Sequence, residues 1–96
     1  MNREEILSIL KKHNSELKGF DVRSLSIFGS VARGTSRKTS DVDILVEFDR
    51  PIGLFEFARL KLYLEKLLQS KVDLVTPDAL RQEMRETILR EAIRAT

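Results

Sequence analysis

Apolar residues fall at helical spacing at the start of the chain, alternate with polar ones in two central stretches, and then return to helical spacing. Ile6, Leu7, Leu10 and Leu17, with Lys and Glu between them, predict a helix from Asn2 to about Leu17. Gly19 stands where a left-handed cap would end it. From Val22 to Phe28, Leu25 and Ile27 alternate with Ser24 and Ser26, the period of a half-buried strand. Gly29-Ser30 then opens a short helical turn that Gly34 closes, and Thr35 to Thr39 is a polar loop. A second strand, Asp41 to Phe48, puts Val42, Ile44, Val46 and Phe48 on one face, and Asp49-Arg50-Pro51 breaks it. A long helix from about Gly53 to Gln69 and a short β-branched strand, Lys71 to Thr76, follow. Pro77 suits the start of a last, highly charged helix running to about Ile93.

This αβαβαβα order predicts a single domain over residues 1–96, of the α/β class. Every strand–strand connection is long enough to cross over, so the expected sheet is small and mixed, with three or four strands. Helices lie mainly on one face, and the other face is left open. The long helix has two apolar stripes, Phe55, Ala58 and Leu62 on one and Phe57, Leu60, Leu64, Leu67 and Leu68 on the other. One stripe suffices to cover a sheet. The second packs on a neighbouring terminal helix or forms a patch for a protein partner, to which Tyr63 would add.

Composition removes several function classes. The chain has no cysteine, so disulfides, thiolate metal sites and a cysteine nucleophile are excluded. One histidine, His13, rules out a multi-histidine metal site, and its lysine-edged helix makes it a surface residue. No apolar run reaches membrane-spanning length and the charged N-terminus is no signal peptide, so cytoplasmic residence without a membrane partner is expected. The net charge of +2 comes from 17 Lys/Arg against 15 Asp/Glu, mostly interspersed, which disfavours direct nucleic-acid binding. The exception is Arg33, Arg37 and Lys38 around the turn, a cluster sized for polyphosphate.

The candidate chemistry lies in Phe28-Gly29-Ser30-Val31-Ala32-Arg33-Gly34 and Ser40-Asp41-Val42-Asp43-Ile44-Leu45-Val46. Glycine at the turn lets backbone approach a phosphate, with the Ser30 hydroxyl as a further donor. A P-loop is excluded, because Gly34 is followed by Thr35-Ser36 rather than Lys-Ser/Thr. Alternate strand residues share a face, so Asp41 and Asp43 project together, and two adjacent carboxylates point to a divalent cation. Aspartate is a poor strand former, yet both sit in an otherwise apolar strand. Asp73 repeats the pattern between Val72 and Leu74. Alone it reads equally as a surface residue, and pairing with the other two makes it a third site carboxylate. Arg33 reads equally as a phosphate contact or as a tie to an acidic neighbour, and Arg37 and Lys38 as solvated charges.

The combined phrase, Gly-Ser-x-Ala-Arg-Gly followed by Asp-x-Asp-Ile-Leu-Val, resembles the DNA polymerase β-like nucleotidyltransferase superfamily. Within it, Ile-Phe-Gly-Ser-Val-Ala-Arg-Gly and the chain length are similar to the minimal nucleotidyltransferases, the antitoxin halves of HEPN/MNT toxin–antitoxin pairs. The resemblance implies that Gly29 and Ser30 hold a nucleoside triphosphate and that Asp41 and Asp43 bind Mg²⁺. It implies that Asp73 completes the metal site, two ions in all, and helps activate the acceptor hydroxyl. It further implies AMP transfer from ATP to a tyrosine of a HEPN ribonuclease toxin. Two other readings stand beside it: neutralisation by binding and occlusion without catalysis, and nucleotidyl transfer to a small molecule. So short a chain builds little acceptor pocket, which favours an acceptor carried on another protein.

Overall fold

The computed structural model describes residues 2–34 and 41–96. The polar loop expected at Thr35 to Thr39, with Arg37 and Lys38, lies outside the described residues. Two helices come first, α1 (Arg3–Lys12) and α2 (Asn14–Lys18), where one was expected. Asn2 caps α1, its Oδ1 accepting from the Glu5 N–H at 2.9 Å. The break falls at His13, with φ −103° and ψ 22°, and its Nδ1–H donates to the Ile9 carbonyl at 2.8 Å. Gly19 is right-handed, φ −64°, contrary to the expected cap. The left-handed residue is Asp21, φ 63°, fixed by tertiary contacts: its carbonyl accepts from the Asp49 N–H and its carboxylate from Arg50. A short polar side chain tolerates that conformation.

The sheet has four strands in the order β3-β2-β1-β4. β1 (Val22–Phe28) and β2 (Val42–Phe48) are antiparallel neighbours, so their connection through α3 (Gly29–Arg33) does not cross over. β2 and β3 (Val72–Val75) are parallel, joined through α4 (Leu54–Leu68). After β3 the chain makes a 3₁₀ turn at Pro77–Ala79, then α5 (Gln82–Glu91), so the last helix starts later than the proline suggested. It ends in β4 (Ile93–Arg94), which pairs antiparallel with Ser26 and Ile27 where helix was expected.

One apolar core joins Ile6 and Leu10 of α1 and Leu17 of α2 to Leu25, Ile27, Ile44, Val46, Val72 and Leu74 of the sheet. From α4 it takes Leu60, Leu64 and Leu68, all fully buried. α5 contributes no buried residue. The second sheet face is not wholly open: Phe28 and Leu45 are buried there, outside the main core. The Phe55–Leu62 stripe does not pack on a neighbouring helix, since Phe55 is 86% and Leu62 65% exposed. Tyr63 instead turns inward and packs against Phe20, the ring centroids 5.1 Å apart and the planes tilted by 41°.

Candidate active site

Where the chain leaves β1 it reverses at Gly29, whose φ of 71° strains any L side chain. Sterics demand glycine a second time. A Cβ at this position would overlap the Asp43 Oδ2 atom and stand 3.1 Å from its Cγ. The turn backbone therefore rests directly on the carboxylate of the neighbouring strand. Ser30 follows in the first turn of α3 and is half-buried.

One turn of helix does not hold its own shape. α3 is pinned by Val31 and Ala32, both buried in the core, and by Gly34 in the left-handed conformation at its end. Arg3 of α1 adds a long-range contact, its Nη1 donating to the Ala32 carbonyl at 2.9 Å. That carbonyl belongs to the last turn, where intrahelical partners run out. Arg33 points outward and its guanidinium pairs with Glu91 of α5 at 3.4 Å. Neither Arg3 nor Glu91 carries a local sequence signal, because each acts through a partner 29 or 58 residues away.

Strand register assembles the carboxylates. Asp43 stands opposite Phe28 of β1 on one side and Asp73 of β3 on the other. Asp41 lies one residue before β2 and is exposed, as is Asp73, whereas Asp43 is half-buried. Burial raises the Asp43 carboxyl above its ordinary value, and the charges of Asp73 and Asp41 and a hydrogen bond with Asp73 push it the same way, opposed by Arg33. Carboxylates so crowded are relieved by a cation. All three donors are hard oxygens, which suits Mg²⁺. Among the described residues no group of three His, Cys, Asp or Glu side chains is placed to hold a metal ion by itself, so a cation here would need waters or substrate phosphates to complete its shell. A groove of about 600 Å³ at the far end of β2, lined by Phe48, Arg50, Ile52 and Phe57, includes none of these residues. Asp41 and Asp73 lie exposed to solvent, apart from that groove.

A Gly-Ser turn thus lies over a pair of acidic residues on neighbouring strands. The sequence model of the nucleotidyltransferase domain matches residues 4–95, and the chain belongs to that family. It is 46% identical over 91 residues to the protein adenylyltransferase MntA of Thermococcus cleftensis, covering 94% of this chain and 92% of that one. A solved structure described as a minimal nucleotidyltransferase superposes with a TM-score of 0.83 at 41% identity, over 97% of this chain and 95% of the other. The fold also recurs in tri-AMPylated Shewanella oneidensis HEPN toxin in complex with MNT antitoxin. There the TM-score is 0.66 at 17% identity, over 94% of this chain and 71% of the other.

Proposed function

We propose that this nucleotidyltransferase transfers AMP from ATP to a tyrosine hydroxyl of a cognate HEPN ribonuclease toxin and so neutralises it. The observation that carries the reading is the Gly29 backbone lying against Asp43, itself in register with Asp73. A glycine backbone that a phosphate could approach and carboxylates suited to a cation thus lie side by side, which supports the reading. The relative named a protein adenylyltransferase, matched over nearly its whole length, supports a protein acceptor.

In this reading Gly29 and Ser30 hold the triphosphate, and Arg33, whose charge acts on the Asp43 carboxyl, contacts a phosphate oxygen. Asp41, Asp43 and Asp73 hold Mg²⁺, two ions in all, which when bound supplies charge neutralisation at the phosphates. The tyrosine oxygen attacks the α-phosphorus. A new P–O bond forms as the bond to the bridging oxygen of the β-phosphate breaks, and pyrophosphate leaves. Asp73, the more exposed member of the register pair, takes the phenolic proton. The protein's own share is in-line positioning. The reaction would use a cytoplasmic pool of ATP and a single domain over residues 1–96, and the interspersed charge, +2 net, argues against direct nucleic-acid binding.

The test incubates toxin, ATP and Mg²⁺ with wild type and with the Asp41→Ala/Asp43→Ala double variant, followed by intact-mass analysis of the toxin. AMP adducts with wild type alone are expected. Adducts that survive the double substitution would overturn the site, and neutralisation with no adduct would establish occlusion instead.

A further inference from the structure

Asp73 reaches the site on a short strand with a free side. β3 has four residues and ends the order β3-β2-β1-β4, so one of its backbone edges has no strand beside it. Its pairing with β2 begins one residue early, where the Lys71 carbonyl accepts from the Val42 N–H at 2.9 Å. In a parallel pair successive residues turn their backbone groups alternately toward the partner strand and away from it. Lys71 and Asp73 therefore turn toward β2, and the N–H of Val72, the first in β3, turns to the free edge. Glu65 of α4 meets it there: half-buried, it accepts this N–H on Oε2 at 3.0 Å. The carbonyl of Glu65 also accepts from the Gln69 N–H, and from the Ser70 N–H at 3.3 Å. Gln69, Ser70 and Val72 thus all donate to one residue, which fixes the short path from α4 into β3. The path is under load. Asp73 stands opposite Asp43, and like charges at facing strand positions push the edge strand outward. A short edge strand yields first at its end, next to Asp73.

We propose that Glu65 is a positioning residue, its carboxylate seating the first residue of β3 and so holding Asp73 opposite Asp43. The proposal rests on the functional reading above for the work that Asp73 does. A charged acceptor makes the stronger bond to a backbone N–H, and at this edge no further strand stands ready to replace it. Gly29 and Ser30 follow β1, on the other side of β2, so the turn that meets ATP does not depend on Glu65. Loss of the bond should therefore act on turnover rather than on the KM for ATP.

The experiment uses the full chain, purified toxin, ATP and saturating Mg²⁺, with steady-state rates from intact mass. Exchange of the Val72 N–H is followed by NMR without toxin, and thermal melts set a temperature at which every variant is folded. Glu65→Ala is expected to lower kcat about tenfold, part of what a 1 Å misplacement costs, with the KM for ATP changed less than about twofold. Its Val72 N–H should exchange about tenfold faster or more, since the bond that protects it is gone. Glu65→Gln keeps an acceptor oxygen at the same reach and should restore both kcat and protection. Glu65→Asp keeps the charge but is one methylene shorter, and should behave as Glu65→Ala does. Unchanged Val72 exchange in Glu65→Ala, or equal losses in Glu65→Gln and Glu65→Ala, would overturn the proposal. Wild-type kcat in Glu65→Ala where Asp73→Asn has lost activity would overturn it too and leave the functional reading intact. Wild-type kcat in Asp73→Asn would overturn the role that reading gives Asp73, and the proposal with it.

Discussion

Gly29→Ala and Gly34→Ala make the same chemical change at two backbones of nearly equal strain, φ 71° and 75°, with opposite surroundings. Each substitution forces an L residue into the left-handed region, at about 1–2 kcal/mol. At Gly34 no heavy atom of the described residues lies within 4 Å of the new Cβ, so among them strain is the whole effect. At Gly29 the Cβ also meets Asp43 Oδ2, with Cγ at 3.1 Å and Cβ at 3.4 Å. Relieving that overlap adds roughly 1–3 kcal/mol, the usual cost of overpacking. It also moves the carboxylate by on the order of 1 Å, a misplacement that costs ~10²-fold in rate. With a melting temperature falling about 4–8 °C per kcal/mol in a domain of this size, both variants melt lower and Gly29→Ala lowest. Initial rates of toxin adenylylation, beside thermal melts, separate the two. The expected pattern is a near wild-type rate for Gly34→Ala and a hundredfold loss for Gly29→Ala. A wild-type rate in Gly29→Ala, or equal losses in both, would refute the idea that the turn exists to seat Asp43.

Other expectations follow from the same geometry. Because the Asp43 carboxyl is raised in the folded state, its ionisation opposes folding. The penalty is absent below the unfolded value of 3.8, grows as pH rises toward the folded one, and is full above it. Without divalent cations Asp43→Asn should thus unfold at a higher temperature than wild type at neutral pH. That gap should close in acid, and a pH-independent gap would contradict the cause. Arg33→Ala should raise the KM for ATP about tenfold or more, the worth of a charge-assisted hydrogen bond to phosphate. Glu91→Ala should change it less than about twofold, its pairing being exposed. Steady-state kinetics on the pair would show if Glu91 matters more. Leu64→Ala, at a fully buried core position, should lose about 2–5 kcal/mol in denaturant unfolding, and a smaller loss would mean a looser core.

The three longer strands and α4 were legible because apolar residues recur at strand or helix spacing over most of their length. β1 runs over Val22–Phe28 as expected, β2 starts one residue late and ends at Phe48 as expected, and β3 and α4 are each one residue shorter at both ends. β4 was not legible, since two residues, Ile93 and Arg94, carry no period and are recruited only by the free edge of β1. Gly19 misled because glycine permits a left-handed cap without requiring one, while Asp21 is held there by Asp49 and Arg50. The carboxylate face was readable from the i, i+2 spacing of Asp41 and Asp43. Joining Asp73 to it needed the parallel register of β2 and β3, which no local pattern encodes. The burial of Leu45 on that same face was equally hidden, for alternation alone set it beside the aspartates.

The central claim is that Asp43 and its neighbours direct transfer of the α-phosphoryl group with its nucleoside to the toxin. It is tested most directly by following two labels. With ATP labelled at the α-phosphorus, wild type should load label onto a toxin tyrosine and release pyrophosphate in equal amount. With the γ-phosphorus labelled, the toxin should stay unlabelled, and Asp43→Asn should load neither. Label from the γ-phosphorus on the toxin, or undiminished α-label with Asp43→Asn, would contradict the account.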